Sequence, residues 1–552
     1  MKSLAPTLLI LVALPAAAQV MDRHSSLSSG AAVANEHLGT VTFTVSCAAA
    51  SHSSFNRGVA LLHDFWYEEA RSQFRRLIQS DPSCAMAHWG VAMSLFHQIW
   101  GRPNAEDSKL GWEEMQAAQS LNVASERERA YIGALADFYR PGTPDYPARI
   151  SAYSAAMASL FARYPDDVDA GAFYALSLLA AKKPNDESVQ QERRAMTVLV
   201  PLFAKYPDNP GIVHYIIHSC DNPAMAAEGL VAADHYGEIA PSGPHAFHMP
   251  GHIYARLGLW QKDIASQLGS IKASEEAEAH GESGIMDEGH SYDFVLYAYL
   301  QSGQDTRAKA VLEQSVAPLN KIESMPGMAA GRMAGMVPYY RTKLPIFYAL
   351  ETNDWQSAAA IEPVAGSPPE VSTLVYWARV IADGHLRQPQ RARADLAQFE
   401  ALMAELKNGS RAYLAEGTGP KIERSEMLAW TAFAEDKPDE ALSHMRTAAD
   451  LQDKVGQAEV DIPAREMLAD MLLALGNAQK ALAEYEIALK LSPNRLNGLS
   501  NAGRAAEAIG DKKKAEFYYL TLLKITSNGQ DSTRPAVSRA RSFLSSMQPA
   551  SR

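Results

Sequence analysis

The chain has 552 residues, more than a single compact domain of about 100–200 residues holds, so it needs several cores or a repeat array. Its 47% hydrophobic and 21% charged residues are the composition of a folded soluble protein. A net charge of −12 argues against nucleic acid and anionic membrane surfaces as partners.

Residues 1–18 read as a secretory signal peptide: Lys2, an apolar run from Leu4 to Leu14, then Ala16-Ala17-Ala18 before Gln19. The run is shorter than the ~20 residues of a spanning helix, and no cysteine follows the cleavage point. The expected address is therefore periplasmic or secreted, without stable membrane insertion once the signal is cut. Residues 19–50 form a polar leader, and Gly39 to Cys47 (GTVTFTVSC) alternates in the manner of a short strand. In an exported protein Cys47 and Cys84 are candidates for a disulfide, with Cys220 left over as a buried thiol or a soft ligand.

From Ser51 the pattern is helical. Gly58, Ala70, Phe74, Leu77 and Pro82, with the large Leu61, recur in kind at Ala469, Ala481, Tyr485, Ala488 and Pro493, with Leu468 and Gly476, and again at Gly503, Gly510, Ala515 and Tyr519. Gly476 to Gly510 and Ala481 to Ala515 are both 34 residues. Small residues let two helices of a hairpin approach, the aromatic fills the gap between hairpins, and proline ends the second helix. This pattern resembles the tetratricopeptide repeat family, clearly at 51–84, 210–277 and 462–519 and more weakly elsewhere up to Leu544. Asp263 departs from it, standing where the family usually has alanine. The resemblance implies an all-α fold, a right-handed α-solenoid of helical hairpins. Residues 51–361 are read as an N-terminal array, 371–544 as a C-terminal array and 545–552 as a tail. The soft spots are 324–337, rich in Met and Gly, and 362–370.

The histidines organise the first array. His214 and His218 are four apart, as are His248 and His252, and the two pairs are offset by 34 residues. His245 precedes the second pair, and His290, Asp293 and Tyr297 open a third helix in the same way. Number each hairpin from Ser51, Ala85, Pro210, Pro244 and Gly289. His245 and His290 then stand at position 2, His214, His248 and Asp293 at position 5, and His218, His252 and Tyr297 at position 9. Arg256, His63 and His97 stand at position 13. These positions share one helix face, away from the packing glycines, and the resemblance implies that this face lines the concave groove.

Two functions follow. The first is an exported scaffold that binds a peptide, protein or small molecule in the groove, which Tyr297, Arg256, His63 and His97 help to line. The second is a metalloprotein, a metal-dependent enzyme included, with zinc, copper or iron on His214, His218, His248 and His252. His245, His290 and Asp293 are then extra ligands or proton carriers, with Asp287 and Glu288 nearby. Imidazoles are the usual protein ligands for such ions, and adjacent helices bring them within reach of one atom. The opposite readings are ordinary packing and hydrogen bonding, above all for His63 and His97, which neighbour Phe65, Trp66 and Trp100. Met86, Met93 and Met115 are read as core, and Arg57, Arg256 and Arg341 as salt-bridge residues. HYIIH lacks the glutamate of HExxH, so a zincin-type protease is not supported.

Overall fold

The computed structural model describes residues 36–547, apart from 100, 143–144, 184–185, 187, 284–287, 326–334, 410–411, 530–531 and 533. The signal sequence, Trp100, Asp287 and most of the 324–337 stretch lie outside the described residues. Among the described residues the fold is all-α, a solenoid in which each helix packs chiefly on its neighbours in sequence.

The first hairpin pairs the helix His52–His63 with Tyr67–Ser80. Phe74 fills the space between hairpins because two glycines leave it open. A Cβ on Gly58 would lie 2.6 Å from the phenyl ring, and one on Gly90 2.5 Å from it. Gly503 and Tyr519 repeat the device at the other end of the chain, also at 2.6 Å. Met86, Met93 and Met115 are buried core residues.

No strand forms at 39–47. The alternation is real, since Phe43, Val45 and Cys47 point inward, but no second strand lies alongside to make a ladder. The backbone is satisfied by side chains and a loop instead. Phe43 N donates to Asn56 Oδ1 at 3.1 Å, Ser46 N to Glu128 Oε1 at 2.6 Å, and Thr40 N to the Asp208 carbonyl at 2.7 Å. Phe43 plugs a pocket between Phe55, Trp89 and Tyr131. Cys47 and Cys84 are joined in a disulfide that pins this segment to the first hairpins, and Cys220 is a free, buried thiol.

Buried apolar side chains form two clusters, one from Leu38 to Ala277 and one from Ala255 to Ala540. The seam between them runs through the helices Pro244–Arg256 and Trp260–Ala279, the first of which carries His245, His248 and His252. The C-terminal hairpins return to this seam. The Trp260 indole donates to the Asn494 carbonyl at 2.7 Å, and Arg495, fully buried, pairs with Glu351 at 2.7 Å and Glu466 at 2.9 Å. Among the described residues no helix is long and apolar enough to cross a membrane.

Candidate metal centre

Three helices supply the histidines. Pro210–Cys220 starts at Asn209, whose side chain accepts from Ile212 N at 3.1 Å, with Pro210 fixing φ for the first turn. Pro244–Arg256 also opens on a proline, and Glu288–Gln301 follows the long Trp260–Ala279 helix. The i, i+4 spacing sets His214 above His218, with ring centroids 4.6 Å apart, and His248 above His252, at 4.8 Å.

The structure divides the six rings into two groups of three. Ligand atoms of His214, His218 and His245 lie within 4.8 Å of one another, and so do those of His248, His252 and His290. The expected single centre on His214, His218, His248 and His252 is not what the chain builds. His245 turns back toward the first pair, and His290 from the third hairpin completes the second. The groups adjoin, with the His245 and His248 rings 5.7 Å apart. Each group also surrounds its own phenylalanine. Phe65 touches His214, His218 and His245 at 4.4, 5.3 and 5.7 Å, and Phe294 touches His248, His252 and His290 at 5.2, 4.7 and 5.1 Å. His214, His245 and His248 are buried, whereas His218, His252 and His290 are partly exposed.

Three rings are held from behind. His214 Nδ1 donates to the His63 carbonyl at 2.5 Å, His248 Nδ1 to Gln267 Oε1 at 2.8 Å, and His252 Nδ1 to Asp221 Oδ2 at 2.9 Å. For His214 and His248 this fixes the tautomer and leaves Nε2 with its lone pair facing inward. Nε2 of His214, Nε2 of His218 and Nδ1 of His290 are buried without a hydrogen-bond partner. Buried polar atoms are nearly always satisfied, and an unpaired one costs about 1–3 kcal/mol. His252 Nε2 lies 2.9 Å from His248 Nε2, so one proton serves two lone pairs there.

Burial, reinforced by neighbouring imidazoles, holds His214, His248 and His290 well below the usual histidine range, and His218 at about 3. These rings are neutral near pH 7, the form that binds metal. Burial also pulls His252 down, but the Asp221 and Glu459 carboxylates outweigh it and hold the ring at about 10.

The remaining expected site residues have other duties. Asp293 is in neither group. Its carboxylate accepts from Lys343 Nζ at 2.6 Å, and burial followed by that lysine accounts for its shifted pKa. Tyr297 is buried, donating to the Asp461 carbonyl at 2.8 Å, so it lines no groove. Arg256 bridges Asp221, at 2.6 Å, and Glu459, and donates to the Gln457 carbonyl. His63 is packed: its ring lies between Asp169 and the Tyr215 hydroxyl, each at 2.9 Å, while its carbonyl holds His214. His97 packs on Tyr67. Arg57 pairs with Glu36 and Glu282, and Arg341 with Glu323.

The sequence reading missed Asp221, Glu459, Gln267, Phe65 and Phe294. One signal was available. Asp263, the departure from the family pattern, is buried and accepts from Gln267 Nε2 at 3.1 Å, and Gln267 in turn holds His248. The helix Trp260–Ala279 thus gives up a packing alanine for an Asp263–Gln267–His248 relay.

Fold and site together define a helical-hairpin solenoid with a buried polyhistidine centre at the seam between its two cores. The family model "Tetratricopeptide repeat" matches residues 67–103, 426–495 and 466–530. These segments are similar to tetratricopeptide repeats. A solved structure similar to the chain is the tetratricopeptide domain of P58(IPK), 13% identical over 91% of this chain and 99% of that one. The TM-score between the two is 0.20. No curated protein matches the sequence.

Proposed function

We propose that this is an exported tetratricopeptide scaffold whose array holds transition-metal ions in the buried histidine centre. The observation that carries the reading is the orientation of the rings. His214, His248 and His252 are each fastened through Nδ1, and the inward nitrogens of His214, His218 and His290 have no protein partner. A purely structural cluster would satisfy those nitrogens, whereas a metal-binding cluster presents them. The all-nitrogen donor set suits zinc, copper or iron rather than magnesium or calcium. The Cys47–Cys84 disulfide fits the exported address that residues 1–18 suggest. Peptide or protein binding elsewhere on the array is compatible with the centre.

The test is the metal content of untagged mature protein isolated from periplasm or medium, beside a His214→Ala/His252→Ala variant. Stoichiometric metal in the wild type and its loss in the variant are expected. A wild-type protein that is isolated free of metal and cannot be loaded with Cu²⁺ or Zn²⁺ overturns the reading.

A further inference from the structure

We propose that the centre is dinuclear: two copper ions, one on His214, His218 and His245, the other on His248, His252 and His290. The inference rests on reading the histidines as metal ligands and goes beyond it in number and identity of the ions. Two independent features separate the sites. Among the described residues the histidine donor atoms converge in threes, and each three close around a different phenyl ring, Phe65 or Phe294. The supports are separate too. The His63 carbonyl serves the first site, and Gln267 and Asp221 serve the second.

Copper follows from the donor set and its surroundings. Neither triad contains a carboxylate or a thiolate, so each offers three imidazole nitrogens, His252 giving up its Nε2 proton to the ion it binds. The charging cost of an ion moved out of water grows with the square of its charge, and in a medium this dry it is large. Neutral ligands against a phenyl wall therefore favour a monovalent ion over a divalent one. Cu(I) is stable with three nitrogen ligands alone, whereas Zn²⁺ on three histidines takes up a water or other fourth ligand, which the phenyl wall disfavours. Asp221, His252 and Glu459 form a further candidate group, but Arg256 already supplies its cation, reaching both carboxylates. With three protein ligands each, both copper ions keep a coordination position for a small exogenous ligand, and the adjoining rings of His245 and His248 set the two ions side by side.

The experiment is an anaerobic titration of metal-free protein with Cu(I) against a chromophoric Cu(I) chelator, counting ions per chain. Wild type, His218→Gln and His290→Gln are compared, with circular dichroism and melting of each metal-free protein as the fold check. His245→Gln and His248→Gln replace any variant that fails it. The expected counts are two, one and one, with copper retained against an equal concentration of Zn²⁺. One ion in the wild type, lost in both variants, overturns the dinuclear assignment while leaving a metal centre. Two ions that Zn²⁺ displaces overturn copper. No ion at all overturns the proposal together with the function it rests on.

Discussion

Gln267→Met gives the sharpest view of how the array supports the centre. Methionine nearly preserves the side-chain volume but removes the oxygen that accepts from His248 Nδ1 at 2.8 Å, and the amide that donates to Asp263 Oδ1 at 3.1 Å. Both partners are 0% exposed, so water does not replace the lost bonds. Stranding one buried donor costs about 1–3 kcal/mol of stability. Burial already pushes the Asp263 carboxyl well above the usual range, so it stays protonated and adds little further penalty. The His248 ring, no longer held, is free to rotate, and loss of such a support typically weakens metal binding 10–100-fold, about 1.4–2.7 kcal/mol. Competition titrations should therefore show weaker binding at the second triad and unchanged binding at the first. Thermal melts of the metal-free proteins would report the stability change separately. Equal metal affinity in Gln267→Met and wild type, alongside a lower melting temperature, would refute the idea that Gln267 positions a ligand and leave it a packing residue.

Other substitutions test the frame. Gly90→Ala places a methyl 2.5 Å from Phe74 and should destabilise the protein by about 1–3 kcal/mol, read by denaturant melts. Arg495→Met leaves Glu351 and Glu466 buried without their cation and should cost about 3–5 kcal/mol, while Arg495→Met with Glu351→Leu and Glu466→Leu should recover most of it. Burial, then the neighbouring Asp461 carboxylate, pushes Glu423 up to about 7 from an ordinary value of 4.5. The folded chain thus keeps a proton that the unfolded chain loses earlier. Its stabilising effect is full below pH 4.5 and falls away as pH rises through 7, by roughly 3 kcal/mol at most. Glu423→Gln should flatten that part of a stability-versus-pH curve, and an unchanged slope would show that the group titrates normally.

Much of this architecture was legible because it is local. Gly58, Phe74 and Pro82 reveal a hairpin by spacing alone, and the structure shows the physical cause in the ring that occupies the glycines' missing side chains. The histidine spacing likewise places the rings on shared helix faces. The division into triads was not legible, because it depends on rotation between hairpins. His290 follows an insertion in sequence, and Phe65 enters from a turn with φ of 56°, more than 140 residues before His214. Asp293 shows the limit of periodicity most plainly. It occupies the same repeat position as His214 and His248, yet Lys343 from a later helix claims its carboxylate. The alternation at 39–47 was read correctly as inside–outside, and failed as a strand because pairing needs a partner that one sequence segment does not reveal.

The most direct measurement is an anomalous difference map from crystals of copper-loaded protein, collected on either side of the copper absorption edge. The account predicts two peaks, one within bonding distance of His214, His218 and His245 and the other of His248, His252 and His290. A map without a peak at these rings, in protein shown to be folded, would contradict it.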